Sequence, residues 1–507
     1  MNFNPLETFY KDSIILITGG NGFVGKVLIE KLLRCFDVEK IYLLIRSKNN
    51  EDVERRMENF LNEPIFDMLR ETNPAVLRKI IPIEVDYNAY DLNIDPQTLD
   101  RLHGEVQIVF NVVASVKFNE SLNDAIQINF LGTKKIVKLA LGIEKLKSFV
   151  HVSTLYSNCN RQDIDEKIYN HILSYNELIP VAKVIQHLKD DVNAEQFLFQ
   201  NLPNTYTLTK HFAEKLVYHQ TFFMPSGIFR PGVVISNYKD FPGYTDNVNG
   251  PTGVVVWTVR GYIHCIYGDV TKRANLMPVD YCINALIATA WDIHENYQER
   301  LRTCSNIPIY NHMFNENNLK WKELMDLVPL GFHEPLQKSI WYYSYFIVSS
   351  KIMFKILNFT YHTIPAFIMD ILAFMIGKKM IYRRAYAKTE KILIIMSFFG
   401  LREWNFGNRN IQMLLEKTKK FSYQRGSFDF DMRKINWTEY FRNFIPGIKR
   451  YYFKENAGSV KRIAAYYHWL KRIHVTFKYL AYFLCSRKIL NILLAILGRN
   501  FVKYCVK

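Results

Sequence analysis

The segment ILITGGNGFVG (residues 15–25) constrains the fold of this 507-residue chain more than any other feature. An apolar run of strand length ends at Thr18, and Gly19, Gly22 and Gly25 then lead into an amphipathic stretch. Glycines at this spacing let backbone amides approach a pyrophosphate at the N-terminus of a helix. The strand before and the helix after favour this interpretation over an ordinary glycine-rich turn. The segment therefore predicts a dinucleotide-binding loop.

The first 290 residues repeat this alternation of short apolar runs and longer amphipathic stretches. Such a rhythm predicts an α/β fold with a doubly wound parallel sheet. A long helix is expected over residues 206–220. The strand candidates are residues 14–18, 40–45, 80–85, 106–113, 148–153 and 227–230.

The rhythm stops after about residue 290, and residues 340–377 are rich in aromatic and aliphatic side chains (WYYSYFIV, IPAFIMDILAFMIG). Charged or polar residues, among them Lys355 and Asp370, interrupt these runs, so each is shorter than the roughly 20 residues of a spanning helix. Buried or interfacial helices are expected instead. Three units follow: a sheet domain over 1–290, a mainly helical domain over 291–450, and a tail over 451–507.

The formal net charge of +17 is concentrated in the tail, where residues 451–507 contain 11 Lys and Arg and one acidic residue. These charges are interleaved with apolar runs, which suits an anionic lipid surface better than nucleic acid. We therefore expect a membrane lipid partner and no nucleic acid.

Cysteines and histidines exclude other classes. The seven cysteines are widely spaced and form no C-x-x-C, which argues against a disulfide scaffold or zinc ribbon and favours a reducing compartment. The 13 histidines form no H-E-x-x-H, so no metal site is expected. Residues 1–13 lack the basic and apolar regions of a secretory signal, so none is expected there.

The end of the second strand, IYLLIRSK, bears on the choice of dinucleotide. An NAD site places Asp or Glu there to hold the ribose 2′-hydroxyl, whereas this chain has Arg46 and Lys48. Cations suit a 2′-phosphate and favour NADPH, with a solvated basic turn as the alternative. Asp86, after the third strand, either lies near the adenine or caps its loop.

The motif NTYTLTK places Tyr206 and Lys210 four residues apart, on one face of a helix. The amine favours phenolate character in the tyrosine, which can then act as a general acid on a developing alkoxide. Ser153 and Thr154 end an upstream strand in FVHVSTLY, where a hydroxyl can stabilise an oxyanion or simply cap a turn. We prefer Thr154 as the catalytic hydroxyl. Cys159 is a weak candidate for an acylating thiol, because no histidine or helix start marks it as activated.

Together these motifs resemble the alcohol-forming fatty acyl-CoA reductases of the extended short-chain dehydrogenase/reductase superfamily. The likeness covers nearly 450 residues and continues into that family's C-terminal domain. It rests on TGGNGFVGKVLIEKLLR, VKFNE, INFLGT, VHVSTLYSNC, NTYTLTK, IFRPGVVIS and MPVDYCINALI, and then on WNFGNRN, FDFDMRKINWTEYF and PGIKRYYFKE.

The resemblance implies an extended-type Rossmann domain over 1–290 that binds NADPH, with a catalytic core of Thr154, Tyr206 and Lys210 beside Ser153. It also implies that Asn129 orders the lysine and its water. The cofactor contacts that it implies, with Asp86 added from its position after the third strand, are Thr18, Gly19, Gly22, Phe23, Val24, Gly25, Arg46, Asp86, Tyr206, Lys210, Arg230 and Pro231.

The chain departs from the family pattern at two places. Asn111 and Val113 stand where the family more often has His and Ala, and Gly232 stands where Ser is usual. Both places are expected near the cofactor or acyl pocket, where they bear on chain-length preference and turnover.

The function that the resemblance implies is NADPH-dependent reduction of a long-chain fatty acyl-CoA to a primary alcohol through an aldehyde. The alternatives are another extended short-chain reductase, acting on a sterol or forming an aldehyde, and a non-catalytic membrane scaffold. We expect a membrane-associated protein that faces the cytosol, at the endoplasmic reticulum or alternatively the peroxisome.

Arg487 and Lys488 divide the apolar part of the tail into two short halves. A cation at the centre of a bilayer is costly, so a hairpin or an interfacial helix pair is expected. A single tilted span and a helix pair packed on the protein itself are the alternatives.

Overall fold

A computed structural model of the chain describes residues 4–46, 52–118, 120–187, 192–332, 335–337, 339–421, 423, 428–455 and 460–505. Most of its strands belong to one parallel sheet. The strands are β1 (Ile14–Thr18), β2 (Lys40–Arg46), β3 (Ile80–Val85), β4 (Ile108–Asn111), β5 (Ser148–Val152), β6 (Asp163–Ile164), β7 (Ser226–Pro231), β8 (Val233–Ile235), β9 (Cys265–Tyr267), β10 (Leu276–Pro278), β11 (Ile309–His312), β12 (Phe346–Val348) and β13 (Asn405–Phe406).

Helices cover the sheet and make up most of the C-terminal half. They are α1 (Pro5–Tyr10), α2 (Phe23–Cys35), α3 (Val53–Leu61), α4 (Asp67–Thr72), α5 (Pro96–Glu105), α6 (Leu122–Ala125), α7 (Gly132–Leu141), α8 (Leu178–His187), α9 (Val192–Phe199), α10 (Thr205–Gln220), α11 (Gly250–Val259), α12 (Val279–Glu295), α13 (Tyr297–Arg302), α14 (Trp321–Leu327), α15 (Lys351–Asn358), α16 (Ile364–Met375), α17 (Tyr382–Gly400), α18 (Arg409–Thr418), α19 (Trp437–Gly447) and α20 (Val460–Cys505).

The main sheet has seven strands in the order β11-β7-β5-β4-β1-β2-β3. β1 and β5 are buried at every position, as expected of parallel strands that helices cover on both faces. β1 pairs in parallel with β2 on one side and with β4 on the other, so the strand order reverses at β1. Ligands of such sheets bind in the crevice beyond the carboxyl ends of the strands at this reversal. The predicted doubly wound fold is confirmed.

The predicted domain boundary at residue 290 is wrong for the sheet. β11 lies beyond it and forms the sheet edge by pairing with β7, with Ile309 opposite Ile228. β11 has only four residues and a polar end, IYNH, so its own pattern is too short to predict a strand. One hydrophobic core runs from Leu6 to Ile448 and includes residues of both predicted domains. Much of the helical region therefore packs on the sheet domain as a continuation of the same core, whereas α15 and α17 pack beside β9 through a second, smaller cluster that includes Phe354 and Leu393.

The tail contradicts the expected hairpin or helix pair, because α20 is one continuous helix that contains Arg487 and Lys488. Both residues are good helix formers, and no proline or glycine lies between the two apolar halves. A charged pair thus interrupts the hydrophobicity of the tail without interrupting its helix.

The helical stretch Lys351–Met375 is likewise longer than the interrupted apolar runs suggested. α15 and α16 are joined through a π-helical segment, Phe359–Thr363. Within the described residues, this is the one stretch that is long and apolar enough to cross a membrane by length and composition.

Candidate active site

The glycine loop between β1 and α2 is built by close backbone contacts. Gly19 has a φ of +68°, and a Cβ atom on it would lie 2.9 Å from the Val113 backbone nitrogen. A Cβ on Gly25 would lie 2.4 Å from the Gly19 carbonyl oxygen. A larger residue at either position would have to move backbone atoms. The N-terminus of α2 follows directly, so its amides and positive dipole end are available to a phosphate.

Thr18 supports this loop from below. Its hydroxyl donates to Asn111 Oδ1 at 2.8 Å and accepts from the Val112 and Val113 amides at 3.1 and 3.2 Å. The side chain is fully buried between the ends of β1 and β4, and it does not line the cavity that begins at the glycine loop. Its expected cofactor contact is therefore corrected to a role in holding the loop.

One cavity of about 920 Å³ begins at the glycine loop and extends past the carboxyl ends of the strands. It brings together most of the residues that the sequence singles out. Those in its wall are Gly19, Gly22, Phe23, Val24, Gly25, Arg46, Val113, Ser153, Thr154, Tyr206, Lys210, Pro231 and Gly232.

Two arginines line the end of the cavity near β2. Arg46 is the last residue of β2, and Arg56, which the sequence reasoning missed, comes from α3. Lys48 lies outside the described residues. Asp86 accepts a hydrogen bond from the Asn88 amide at 2.8 Å and is not part of the cavity wall. Of the two roles expected for Asp86, a position near the adenine or a cap of its loop, this contact corresponds to the cap.

Tyr206 and Lys210 project from the first turns of α10, which begins after Asn204, whose side chain accepts from the Thr207 amide at 2.9 Å. Burial raises the pKa of Tyr206 to about 12, against the effect of a hydrogen bond with the Thr154 side chain. Tyr206 is therefore protonated at neutral pH and able to donate a proton.

The Lys210 ammonium donates to the Val152 carbonyl oxygen at 2.7 Å, which connects α10 to the end of β5. Burial lowers the pKa of Lys210 to about 8, while the carboxylate of Glu214 acts in the opposite direction. Lys210 thus keeps most of its charge at neutral pH.

Asn129 lies in a π-helical segment, Ile126–Leu131, and its described hydrogen bonds do not include Lys210. Its Oδ1 accepts from the Ser115 amide at 2.8 Å, and its Nδ2 donates to Thr209 Oγ1 at 3.0 Å. Asn129 therefore ties the loop after β4 to α10 one residue before the lysine.

The expected cofactor contact of Arg230 is corrected by its position. Its guanidinium is fully buried and forms a two-pronged ion pair with Glu214, with N···O distances of 2.9 and 2.7 Å. It also donates to the carbonyl oxygens of Asp165 and Lys167, both at 3.0 Å. Side chains alternate along β7, so the next residue, Pro231, reaches the cavity wall and Arg230 does not.

Glu214 is the second residue that the sequence reasoning missed. It lies one turn after Lys210 on α10 and accepts a hydrogen bond from Ser157 Oγ at 2.8 Å. Its spacing, eight residues after Tyr206 and four after Lys210, was the signal that could have identified it.

Cys159 is buried, and this burial raises the pKa of its thiol, so it is protonated at neutral pH. It is also outside the cavity wall. Both facts argue against an acylating thiol, because the thiolate is the nucleophilic form.

The departures from the family pattern are placed differently by the structure. Val113 and Gly232 line the cavity, and a Cβ on Gly232 would lie 2.9 Å from the Asn275 carbonyl oxygen. Asn111 is fully buried, with Nδ2 3.0 Å from Nδ1 of His151. Its expected position beside the pocket is corrected, because its side chain points into the sheet and holds Thr18.

The far arm of the cavity is apolar and is walled by helices of both halves of the chain. Phe399 of α17 packs against Tyr156 and Phe118, with ring centroids 5.0 and 5.6 Å apart, and Phe118 lies 5.9 Å from the Tyr206 ring. The apolar wall residues are Val254, Val255, Trp321, Leu324, Met325, Ile347, Ile392, Leu393, Ile395, Met396 and Phe399.

A parallel sheet with a glycine loop at its reversal point, with a tyrosine and a buried lysine in the wall of the same cavity, defines a nicotinamide-dependent oxidoreductase of the extended short-chain dehydrogenase/reductase class. Comparisons with known proteins agree. Residues 17–286 match a family model of NAD-binding domains described as male sterility protein, and residues 361–455 match a second one, Sterile, with the same description.

The relatives narrow this class to a family. The chain is 37% identical over 477 residues to fatty acyl-CoA reductase wat of Drosophila melanogaster, covering 93% of this chain and 90% of that protein. It is 30% identical over 477 residues to human fatty acyl-CoA reductase 1, covering 93% and 91%. The protein belongs to the fatty acyl-CoA reductase family.

Solved structures share the fold. The reductase domain of a nonribosomal peptide synthetase from Mycobacterium tuberculosis aligns with a TM-score of 0.55 at 16% identity, covering 86% of this chain and 92% of that one. The terminal reductase domain of the myxalamid pathway aligns with a TM-score of 0.53 at 18% identity, covering 86% and 90%.

Proposed function

We propose that this protein reduces a long-chain fatty acyl-CoA to a primary alcohol and CoA, with NADPH as the cofactor and an aldehyde as the intermediate. The observation that carries the proposal is the single cavity, which joins the phosphate-binding loop, the Thr154 and Tyr206 hydroxyls and an apolar arm. The glycine loop suits a dinucleotide, the two hydroxyls suit a reacting carbonyl, and the apolar arm suits an acyl chain.

The choice of NADPH is supported by the end of β2. Arg46 stands where a carboxylate would hold an unmodified ribose, and Arg56 lines the same cavity. Two guanidinium groups suit a 2′-phosphate, which they can bind through charge-assisted hydrogen bonds. The other proposed cofactor contacts are Gly19, Gly22, Phe23, Val24, Gly25, Tyr206, Lys210 and Pro231.

When bound, one NADPH would supply a hydride to the thioester carbonyl, and a second NADPH would supply a hydride to the aldehyde. Thr154 and Tyr206 hold the oxyanion of the first reduction, and its collapse expels the CoA thiolate. Tyr206 then gives its proton to the alkoxide of the second reduction. The Lys210 ammonium stabilises the phenolate that Tyr206 leaves behind, and Ser153 lies beside the reacting hydroxyls.

The domain arrangement that we propose keeps three parts but moves the first boundary past His312. The tail helix, with its basic residues, associates with a membrane on the cytosolic side, at the endoplasmic reticulum or the peroxisome. Such a position gives the site access to soluble NADPH and to a substrate that partitions into lipid.

The test is to incubate the purified full chain with labelled palmitoyl-CoA and NADPH and to separate the lipid products. We expect labelled hexadecanol. Aldehyde alone would indicate an aldehyde-forming reductase, and no product would favour a scaffold or a reductase of another substrate.

Tyr206→Phe is expected to abolish alcohol formation in the same assay, because the proton donor is lost. Tyr218→Phe, on the same helix but with its hydroxyl bonded to Asn306, is the matched control and should keep wild-type activity. Near-normal alcohol formation by Tyr206→Phe would contradict the mechanism.

A further inference from the structure

The stretch Lys351–Met375 has an inverted distribution of polarity. The side facing the protein is narrow and partly polar, and the sides facing outward are apolar. The buried residues recur every three or four positions and are Phe354, Asn358, His362, Ala366, Asp370 and Ala373. The exposed apolar residues are Ile352, Met353, Ile356, Phe359, Tyr361, Ile364, Phe367, Ile368, Met369, Ile371, Leu372, Phe374 and Met375.

The buried polar groups are satisfied within the protein. His362 Nε2 accepts from the His264 amide at 2.8 Å, and Nδ1 lies 2.7 Å from Asn358 Oδ1. Asp370 accepts from the Tyr382 and Arg383 amides at 2.8 and 3.1 Å, which closes the connection from α16 to α17. The helix is therefore held to the protein along its whole length by one face, and its outer faces are left apolar.

Exposed apolar surface of this extent is rare on a monomer in water and indicates a contact with a partner. The charge around it identifies the kind of partner. Residues 351–389 contain seven Lys and Arg, all of them exposed, and one acidic residue, the buried Asp370. Apolar side chains framed by cations match the acyl region and the headgroups of an anionic leaflet.

The apolar arm of the cavity adjoins the helices that carry this surface. Ile392 of α17 lines the cavity and is 49% exposed. Tyr267 also lines the cavity, and its ring stacks on Phe354 of α15 with centroids 5.2 Å apart. Helices that line the apolar arm thus adjoin the exposed apolar face of Lys351–Met375.

We propose that the outer face of Lys351–Met375 lies in the surface of an anionic leaflet, parallel to it, and that the apolar arm opens there. The acyl chain then enters from the lipid while the glycine loop stays in water. The stretch is expected to lie in the plane of the membrane because one of its faces is bound to the rest of the protein. A spanning helix would take the packed protein into the bilayer. The route of the acyl chain rests on the function proposed above.

The test places an environment-sensitive nitrobenzoxadiazole dye on single cysteines in the full chain. Phe374→Cys and Ile352→Cys label the two ends of the stretch, where the native side chains are 69% and 74% exposed. Phe223→Cys, at another exposed aromatic residue, is the matched control. Cys304, Cys485 and Cys505 are replaced by serine in all three.

Vesicles of phosphatidylcholine and phosphatidylserine should raise the dye emission at positions 352 and 374 about twofold or more and leave the emission at position 223 unchanged. Quenching of the dye should show that positions 352 and 374 lie at the same shallow depth in the bilayer. Vesicles of phosphatidylcholine alone should have a smaller effect. No change at 352 and 374 would overturn the proposal. Quenching depths that differ between positions 352 and 374 would show a spanning helix and would also overturn the proposal. Dye emission that rises with protein concentration in the absence of vesicles would show that a second copy of the chain covers the surface, and it would overturn the proposal too.

The substrate route is tested with the triple variant Ile352→Glu, Phe374→Glu and Met375→Glu. We expect at least a tenfold lower rate with palmitoyl-CoA carried in vesicles and a nearly unchanged rate with octanoyl-CoA dissolved in buffer. Equal rates of variant and wild type on both substrates would overturn the route. A wild-type chain inactive on both would instead refute the proposed function, and the dye result would stand independently.

Discussion

Removing one partner of the buried ion pair between Glu214 and Arg230 should destabilise the protein far more than breaking an exposed pair in the described residues. Glu214→Gln keeps the size of the side chain but removes the charge that faces a fully buried guanidinium. Breaking a buried pair in this way costs about 3–5 kcal/mol, because the remaining charge stays in a medium of low polarity. Arg230 keeps its bonds to Asp165 and Lys167, so we expect the lower end, about 3 kcal/mol.

The assay is urea-induced unfolding followed by tryptophan fluorescence. Asp326→Asn is the matched control, because Asp326 pairs with Lys322 at 2.6 Å on the open surface and such pairs contribute little.

The Glu214→Gln variant should have a second, independent effect, on the pKa of Lys210. Glu214 favours the charged form of Lys210, so Glu214→Gln should lower the lysine pKa further below its present value of about 8.

The alkaline limb of the pH–rate profile should then move to lower pH in Glu214→Gln and stay in place in Asp326→Asn. The reasoning would be refuted if Glu214→Gln unfolded at the same urea concentration as Asp326→Asn. An unchanged alkaline limb would separately remove Glu214 from the electrostatics of the site.

Three further predictions concern the cofactor site and its charge. Arg46→Asp should weaken NADPH binding far more than NADH binding in a fluorescence titration, and equal losses would exclude Arg46 from 2′-phosphate recognition. Gly25→Ala should abolish binding of both cofactors, since its Cβ would lie 2.4 Å from the Gly19 carbonyl oxygen; retained binding would show that the loop adjusts. Lys210 has its pKa lowered by burial from 10.5 to about 8, so the unfolded chain binds more protons between these values and wild-type stability should rise with pH there. Thermal unfolding of Lys210→Met should lack this rise, and parallel pH curves for the two proteins would contradict it.

Local patterns in the sequence were sufficient for six of the seven strands of the main sheet and for the core of the site. Unbroken apolar runs predicted strands buried on both faces, and β1 and β5 have that burial. The glycine spacing placed the loop at the start of α2, and the four-residue spacing of Tyr206 and Lys210 placed both on one face of α10. These features depend on the geometry of a few consecutive residues, which the order of the amino acids determines directly.

Contacts between distant parts of the chain were decided only by the tertiary structure. β11 completes the sheet although its four residues carry no strand pattern, because β7 offers it an open edge. The apolar arm includes α17, whose place beside Tyr206 depends on packing across nearly 200 residues. The direction of the Arg230 side chain was undetermined for the same reason. Its neighbour Pro231 faces the cavity, whereas Arg230 pairs with the buried carboxylate of Glu214, which only the tertiary structure brings beside β7.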